Sequence, residues 1–121
     1  QFNTHAAQNT DIVSKVKSLL KNYYKTNELI LSGQPTIEYL ANGCHLSSNY
    51  LSDLLSKETG RSAKDHINDF LIEKAKNLLI SSSDSVSGIA YSLGFNYPPH
   101  YFSRIFKKKT GKTPQEYRHL N

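Results

Sequence analysis

The residues best suited to chemistry in this 121-residue chain are cations gathered in its last 26 residues. Six Lys or Arg side chains stand there against one acid, Glu116, so the segment carries a net charge of +5, equal to that of the whole chain. The six cations are Arg104, Lys107, Lys108, Lys109, Lys112 and Arg118. A focused positive patch attracts polyanions and speeds their encounter. The pattern predicts nucleic-acid binding; the alternative is a solvated helix face that serves solubility only.

Groups that could support catalysis or hold a metal are few and poorly spaced. No two of the five histidines are four residues apart. Cys44 and His45 are adjacent, which is poor geometry for two ligands on one metal. No glycine-rich phosphate loop is present. We therefore predict neither an enzyme nor a cofactor or metal site, and we interpret Cys44 as a small buried residue in a turn.

The composition also indicates a compartment. The longest apolar run is three residues, as in 78–80, whereas a membrane helix needs about 20. No export signal is visible, and the single cysteine favours a reducing environment. We predict a cytoplasmic, nucleoid-associated protein without a membrane partner. Because the chain contains no Met, we expect it to be part of a longer protein.

Apolar residues recur at helical spacing through most of the chain, and no long segment alternates with a period of two. The predicted fold is all-α with about seven helices. Residues 1–9 are polar and predict a linker, the first helix runs from about Thr10, and 119–121 form a tail. Helix caps are predicted at Thr36 and Ser62, and a helix start at Ser47 or Ser48. A first-turn proline pair is predicted at 98–99, and a capping box at 113–116.

The chain contains an internal repeat with an offset of 51 residues. The matched positions include Tyr50 with Tyr101, Ser52 with Ser103, and Thr59-Gly60 with Thr110-Gly111. Two helices joined by a turn, and repeated, predict two helix-turn-helix units over 10–61 and 82–118, joined by a linker helix over 62–81. That helix would span about 28 Å, near the roughly 34 Å between successive major grooves. The alternative is two unrelated helical hairpins.

The second repeat resembles the signature of a known family. The segments concerned are Ile89-Ala90-Tyr91-Ser92-Leu93-Gly94-Phe95, Tyr101 to Lys108, Thr110-Gly111, Thr113-Pro114 and Glu116-Tyr117-Arg118. They are similar to the AraC/XylS family of bacterial transcription regulators, and the resemblance runs from about Thr10 to Arg118. It implies a seven-helix, two-unit module that binds double-stranded DNA. It also implies contacts with RNA polymerase and a separate sensing or dimerisation domain, which we expect to be missing from this chain.

By this resemblance, the third and sixth predicted helices are recognition helices whose early exposed residues face bases. The base-contact candidates are Ser48, Asn49, Ser52 and Asp53 in the first unit, and His100, Tyr101 and Arg104 in the second. Arginine fits the guanine O6/N7 edge, so Arg104 is the main candidate; the alternatives are a phosphate contact or an ion pair within the protein. Asp53 stands where the family often has arginine. It would accept from cytosine N4, or it is a charge favoured by the helix dipole.

Phosphate contacts are predicted from charge and from helix starts. The candidates are Ser47, Lys57, Lys107, Lys108, Lys112 and Thr113. The chain departs from the family by one extra residue between Phe95 and Phe102, and by Leu71 where the linker helix commonly carries arginine. A different class of function, a protein-interaction module that docks an acidic partner, is the remaining alternative.

Overall fold

The computed structural model describes the backbone of residues 2–95 and 100–120, and the side chains of 11–95 and 100–120. Within these ranges the protein is entirely helical, which confirms the all-α prediction. In chain order the helices are α1 (Phe2–Lys25), α2 (Glu28–Ser32), α3 (Ile37–Gly43), α4 (Ser48–Thr59), α5 (Ala63–Ser81), α6 (Val86–Ser92), α7 (Tyr101–Thr110) and α8 (Pro114–Arg118). The one additional helix is the short α2, which lies in a segment predicted to be a connection.

The first helix is longer than its apolar pattern predicted. It begins at Phe2 rather than near Thr10, so residues 2–9 are helical where a linker was predicted. These residues contain no glycine or proline and include two alanines, and extending an existing helix is far easier than starting one. Apolar periodicity therefore did not mark the full length of this helix.

The described chain divides into two compact units. The first comprises Gln1–Glu28 and Pro35–Ile67, and the second comprises Leu29–Gln34 and Asn68–Asn121. This division differs from the predicted one, which placed α2 inside the first unit and treated α5 as a separate linker. The α2 residue Leu29 is only 4% exposed, and a Cβ atom built on Gly94 of the second unit would lie 3.5 Å from its Cδ2.

In the first unit α1 packs against α3 and α4, and α3 packs against α4. The helices meet through fully buried side chains, among them Val16, Leu40, Leu51 and Leu55. The predicted cap of α3 is present, since the Thr36 hydroxyl accepts from the Tyr39 amide at 3.1 Å. Helix α4 is capped by Ser47, one of the two predicted start residues, whose hydroxyl accepts from the Tyr50 amide at 3.1 Å. These caps fix where α3 and α4 begin, which decides the side chains that α4 exposes.

The second unit is built around aromatic side chains. Phe102 and Phe106 of α7 are fully buried. Phe102 lies 5.1 Å from Phe95 and Phe106 lies 5.5 Å from Tyr117 of α8, measured between ring centroids. Aromatic pairs at these separations add to the stabilisation that comes from area burial alone. This packing holds one side of α7 inward and presents the other side outward.

The helix ends of the repeat share one geometry. The hydroxyls of Thr59 and Thr110 donate to the carbonyl oxygen four residues earlier, at 2.7 and 2.8 Å. Each also accepts the backbone amide two residues later, at 3.2 Å. The repeated Thr-Gly residues therefore end α4 and α7 in the same way.

The turns after α3 and α6 are also alike, except at one residue. In both, an amide donates back to the alanine carbonyl five residues earlier at 2.9 Å, from Leu46 in the first unit and from Phe95 in the second. The residue before that amide is left-handed in each: Gly94 has φ 81° and His45 has φ 60°. A non-glycine residue in this region is strained by about 1–2 kcal/mol.

We expect His45→Gly to raise the free energy of unfolding by about 1 kcal/mol. The substitution removes the left-handed strain, but glycine also increases the conformational entropy of the unfolded chain, which offsets part of this stabilisation. The measurement is the urea midpoint followed by circular dichroism. His45→Ala, which keeps the Cβ atom, is the matched control and should give no such gain. A lower midpoint for His45→Gly would show that the left-handed turn is not a source of strain.

Candidate nucleic-acid interface

One face of α7 carries an exposed row of cations. Arg104, Lys107 and Lys108 are exposed, whereas Phe102 and Phe106 on the other side are buried. Side chains three and four residues apart are neighbours on a helix surface, so the three cations form one patch. We call Arg104, Lys107 and Lys108 the α7 cationic face.

Arg104 has no ion-pair partner among the side chains of residues 11–95 and 100–120. Its backbone amide donates to the His100 carbonyl within the helix, and its guanidinium is left to face solvent. The alternative that Arg104 forms an ion pair within the protein is therefore not supported by the described side chains. Contact with a base edge or a phosphate remains the prediction.

Two of the six cations counted in the sequence are engaged inside the second unit. The Lys109 ammonium pairs with Asp69 of α5 at 2.7 Å, and its side chain is only 16% exposed. The Arg118 Nε donates to the Leu79 carbonyl at 3.0 Å, and its Nη2 donates to the Ser82 carbonyl at 3.2 Å. Both cations hold α5 in place, and neither was a predicted DNA contact.

The start of α7 separates two of the predicted base contacts. His100 occupies the cap position, is exposed, and makes no side-chain cap bond. Tyr101 is half-buried, with its ring centroid 6.1 Å from that of Phe95. His100 is thus positioned to contact a ligand, whereas Tyr101 belongs partly to the core. The predicted proline start at 98–99 lies outside the described residues, and so does most of the segment with the extra residue.

The start of α8 already has an acidic partner. The predicted capping box is present: the Thr113 amide donates to the Glu116 carboxylate at 2.9 Å, and the Thr113 hydroxyl accepts from the Glu116 amide at 3.1 Å. That backbone bond lowers the pKa of the Glu116 carboxyl below its usual range, with smaller contributions from the charges of Lys107 and Lys112. A phosphate at Thr113 would therefore have to displace a carboxylate.

The exposed face of α4 differs from that of α7. Asn49 and Asp53 are exposed, whereas Ser48 and Ser52 are half-buried. The Asp53 carboxylate pairs with the Lys57 ammonium four residues later, at 3.0 Å. Since α4 begins at Ser48, Asp53 lies beyond the first turn, where the helix dipole acts most strongly. The dipole interpretation of Asp53 is therefore weaker than an interpretation based on Lys57.

One surface residue of α4 was absent from the predicted contacts. Tyr50 is 47% exposed and follows directly after Asn49. The 51-residue repeat pairs it with Tyr101, which was predicted as a base contact, so the repeat itself carried the signal that could have found it.

The described side chains that were considered as metal ligands form no metal-binding cluster. Within 11–95 and 100–120, no cluster of three or more His, Cys, Asp or Glu side chains has metal-binding geometry. Cys44 is buried as predicted, with 8% exposure, and burial raises the pKa of its thiol while the charge of Lys15 opposes that effect. No helix in the described part of the chain is long and apolar enough to cross a membrane.

Comparison with known proteins agrees with this geometry. A family described as "Helix-turn-helix domain" matches residues 40–119. The chain is 40% identical over 74 residues to the uncharacterized transcriptional regulatory protein YesN of Bacillus subtilis, covering 60% of this chain and 20% of that protein. The chain spans between a fifth and two fifths of the length of the curated relatives it matches.

Solved structures give the same result. The C-terminal domain of the two-component response regulator yesN from Fusobacterium nucleatum is 34% identical, with a TM-score of 0.68 over 85% of this chain and 97% of that one. The DNA-binding domain of AdpA, a global transcriptional factor solved with a target DNA, shares the fold at 21% identity, with a TM-score of 0.69 over 86% of this chain and 89% of that one. This chain belongs to the AraC/XylS family of helix-turn-helix DNA-binding domains of bacterial transcription regulators.

Proposed function

We propose that this domain binds duplex DNA sequence-specifically, with α4 and α7 as recognition helices that enter successive major grooves. The observation that carries the proposal is the α7 cationic face, which is exposed and has no ion-pair partner among the described side chains. The DNA-binding domain of AdpA, which shares this fold, was solved in complex with a target DNA, and this supports DNA as the ligand. The alternative of an acidic protein partner has no comparable support.

The second unit supplies the larger electrostatic attraction. Arg104 donates to the O6/N7 edge of a guanine, the pairing that arginine makes best, with His100 and Tyr101 near the neighbouring bases. Lys107, Lys108 and Lys112 neutralise phosphates and so position α7 in the groove without specifying sequence. Thr113 contributes a phosphate contact only when its backbone amide donates to a DNA phosphate instead of to the Glu116 carboxylate.

The first unit contributes mostly polar contacts. Asn49 is exposed on α4 and has the donor and acceptor that fit adenine. Ser48 and Ser52 lie half-buried beside it and serve either kind of base. Ser47 brings the first amides of α4 towards a phosphate.

The wider protein is part of the same proposal. The domain acts by binding and carries out no catalysis, in the cytoplasm at the nucleoid. RNA polymerase is its protein partner during regulation. An effector-sensing or dimerisation domain belongs to the full-length regulator.

The decisive experiment is selection of binders from a randomised 30-base-pair duplex library at near-physiological salt. We expect two short enriched motifs whose centres lie about one helical turn apart. One motif alone would show that only one unit reads bases. Retention without enrichment would contradict sequence-specific binding, and no retention would overturn the proposal in favour of a protein partner.

Lys108→Ala tests the predicted phosphate contact. We expect it to weaken binding to all duplexes alike and to lower the slope of log affinity against log salt by about one. Affinities measured at four salt concentrations give the slope. Lys21→Ala removes the same charge from the exposed side of α1 and should leave the slope unchanged. Equal slopes for the wild type and Lys108→Ala would show that Lys108 does not contact a DNA phosphate.

A further inference from the structure

We propose that the Asp53–Lys57 ion pair on α4 recognises one C·G base pair as a unit, with Asp53 accepting from cytosine and Lys57 donating to guanine. The inference rests on the proposed function, because it requires α4 to lie in a major groove. It replaces the expectation that Lys57 contacts a phosphate. It also gives the first unit a specific base to read.

The geometry of the pair is that of a preformed recognition group. The Lys57 Nζ lies 3.0 Å from the Asp53 Oδ2, and the two side chains are 74% and 60% exposed. Residues four apart lie on the same helix face, so Asn49, Asp53 and Lys57 form one exposed row along α4. An exposed ion pair contributes little to folding stability, so a stabilising role does not account for the Asp53–Lys57 pair.

The major-groove edge of a C·G pair is complementary to this group. Cytosine presents the N4 amino donor and guanine presents the O6 and N7 acceptors. Cytosine N4 donates a hydrogen bond to guanine O6 within the base pair, so these two atoms lie about 2.9 Å apart. An acceptor and a donor 3.0 Å apart therefore meet a donor and an acceptor at nearly the same spacing, and their order excludes the reversed pairs G·C and T·A. An A·T pair offers the same order of amino and carbonyl groups, but beside the carbonyl it carries the thymine methyl group where C·G carries the guanine N7 acceptor. A second Lys57 N–H donated to N7 therefore favours C·G.

Charge balance removes the main objection to a carboxylate in the groove. Asp53 alone would be repelled by the phosphates that line it, but the bonded Lys57 makes the pair neutral. The repeat offset places Arg104 and Lys108 at the same two positions of the second unit, where both are cations. The second unit therefore suits guanine acceptors and phosphates, whereas the first unit suits a base pair with one donor and one acceptor.

The test is the same duplex selection, carried out with the wild type, Asp53→Ala, Asp53→Asn and Lys57→Ala. We expect the wild type to fix one C·G pair in the first-unit motif, with about 5- to 150-fold discrimination against the reversed pairs G·C and T·A and a smaller preference over A·T. Asp53→Ala should lose this discrimination, and Asp53→Asn should shift the preference towards A·T, which asparagine recognises. Lys57→Ala should reduce affinity more when it is made in the wild type than when it is made in Asp53→Ala, where the pair is already broken.

Asp11→Ala is the matched control, since Asp11 is an exposed acid on α1 of the same unit; it should leave the motif unchanged. The motif that depends on Arg104 provides an internal standard for binding. If that motif is selected but Asp53→Ala leaves every other fixed position intact, the inference is wrong and the proposed function stands. If the wild type selects no motif, the proposed function itself fails.

Discussion

Arg104→Ala is expected to lower affinity for the selected DNA site by about 1–3 kcal/mol, or about 5- to 150-fold, and to relax one base position. The guanidinium is exposed, belongs to the α7 cationic face, and pairs with no described carboxylate. Its removal should therefore take away the proposed DNA contact without disturbing the core. Fluorescence anisotropy with the selected duplex and with a scrambled duplex of the same length measures both effects.

Arg104→Lys separates charge from geometry at this position. Lysine keeps the positive charge but lacks the planar fork that matches guanine O6 and N7. We expect Arg104→Lys to retain affinity for scrambled DNA and to lose most of the discrimination at one base pair. An equal loss on selected and scrambled duplexes in Arg104→Ala would instead assign this side chain to a phosphate.

Local capping signals predicted the starts of α3, α5 and α8, although not the start of α1. Ser62, which was predicted to cap the long helix, accepts from the Asp65 amide at 3.0 Å, and that helix ends at Ser81 as expected. Capping depends on residues three apart in the chain, so its chemistry is visible without the fold. Helix α2 has only five residues, too few for a periodic pattern, and residues 29–34 belong to the second unit only through tertiary contacts.

The candidate site was predictable in composition but not in detail. A charge count treats Arg118 and Lys109 like the other cations, because their partners lie 39 and 40 residues away in the sequence. Only the fold brings Asp69 to Lys109 and the Leu79 carbonyl to Arg118. The Asp53–Lys57 pair is different, since its four-residue spacing on a predicted helix already indicates an ion pair. An ion pair between residues close in sequence can therefore be predicted from their spacing, whereas a pair between residues distant in sequence cannot.

Gly94→Ala is expected to reduce the free energy of unfolding by about 2–4 kcal/mol, from backbone strain and overpacking together. Gly94 has φ 81°, and a Cβ atom there would lie 2.7 Å from the Gln34 Cγ and 3.3 Å from the Gln34 backbone nitrogen. The side-chain contact can move aside, but the backbone contact requires a shift of the segment that carries α2. Urea unfolding followed by circular dichroism gives the change in midpoint.

Gly111→Ala isolates the backbone part of this effect. Gly111 has φ 83°, almost the same as Gly94, but a Cβ atom there would meet nothing within 4 Å. Gly111→Ala should therefore lose only the strain of a left-handed residue, about 1–2 kcal/mol, and the difference between the two variants measures how tightly Gln34 packs on the turn after α6. Equal losses would mean that this turn is open on the side of Gln34. A larger loss at Gly94 would show that Gln34 packs closely against the turn after α6. Such packing explains why residues 29–34 belong to the second unit although they lie between α1 and α3 in the sequence.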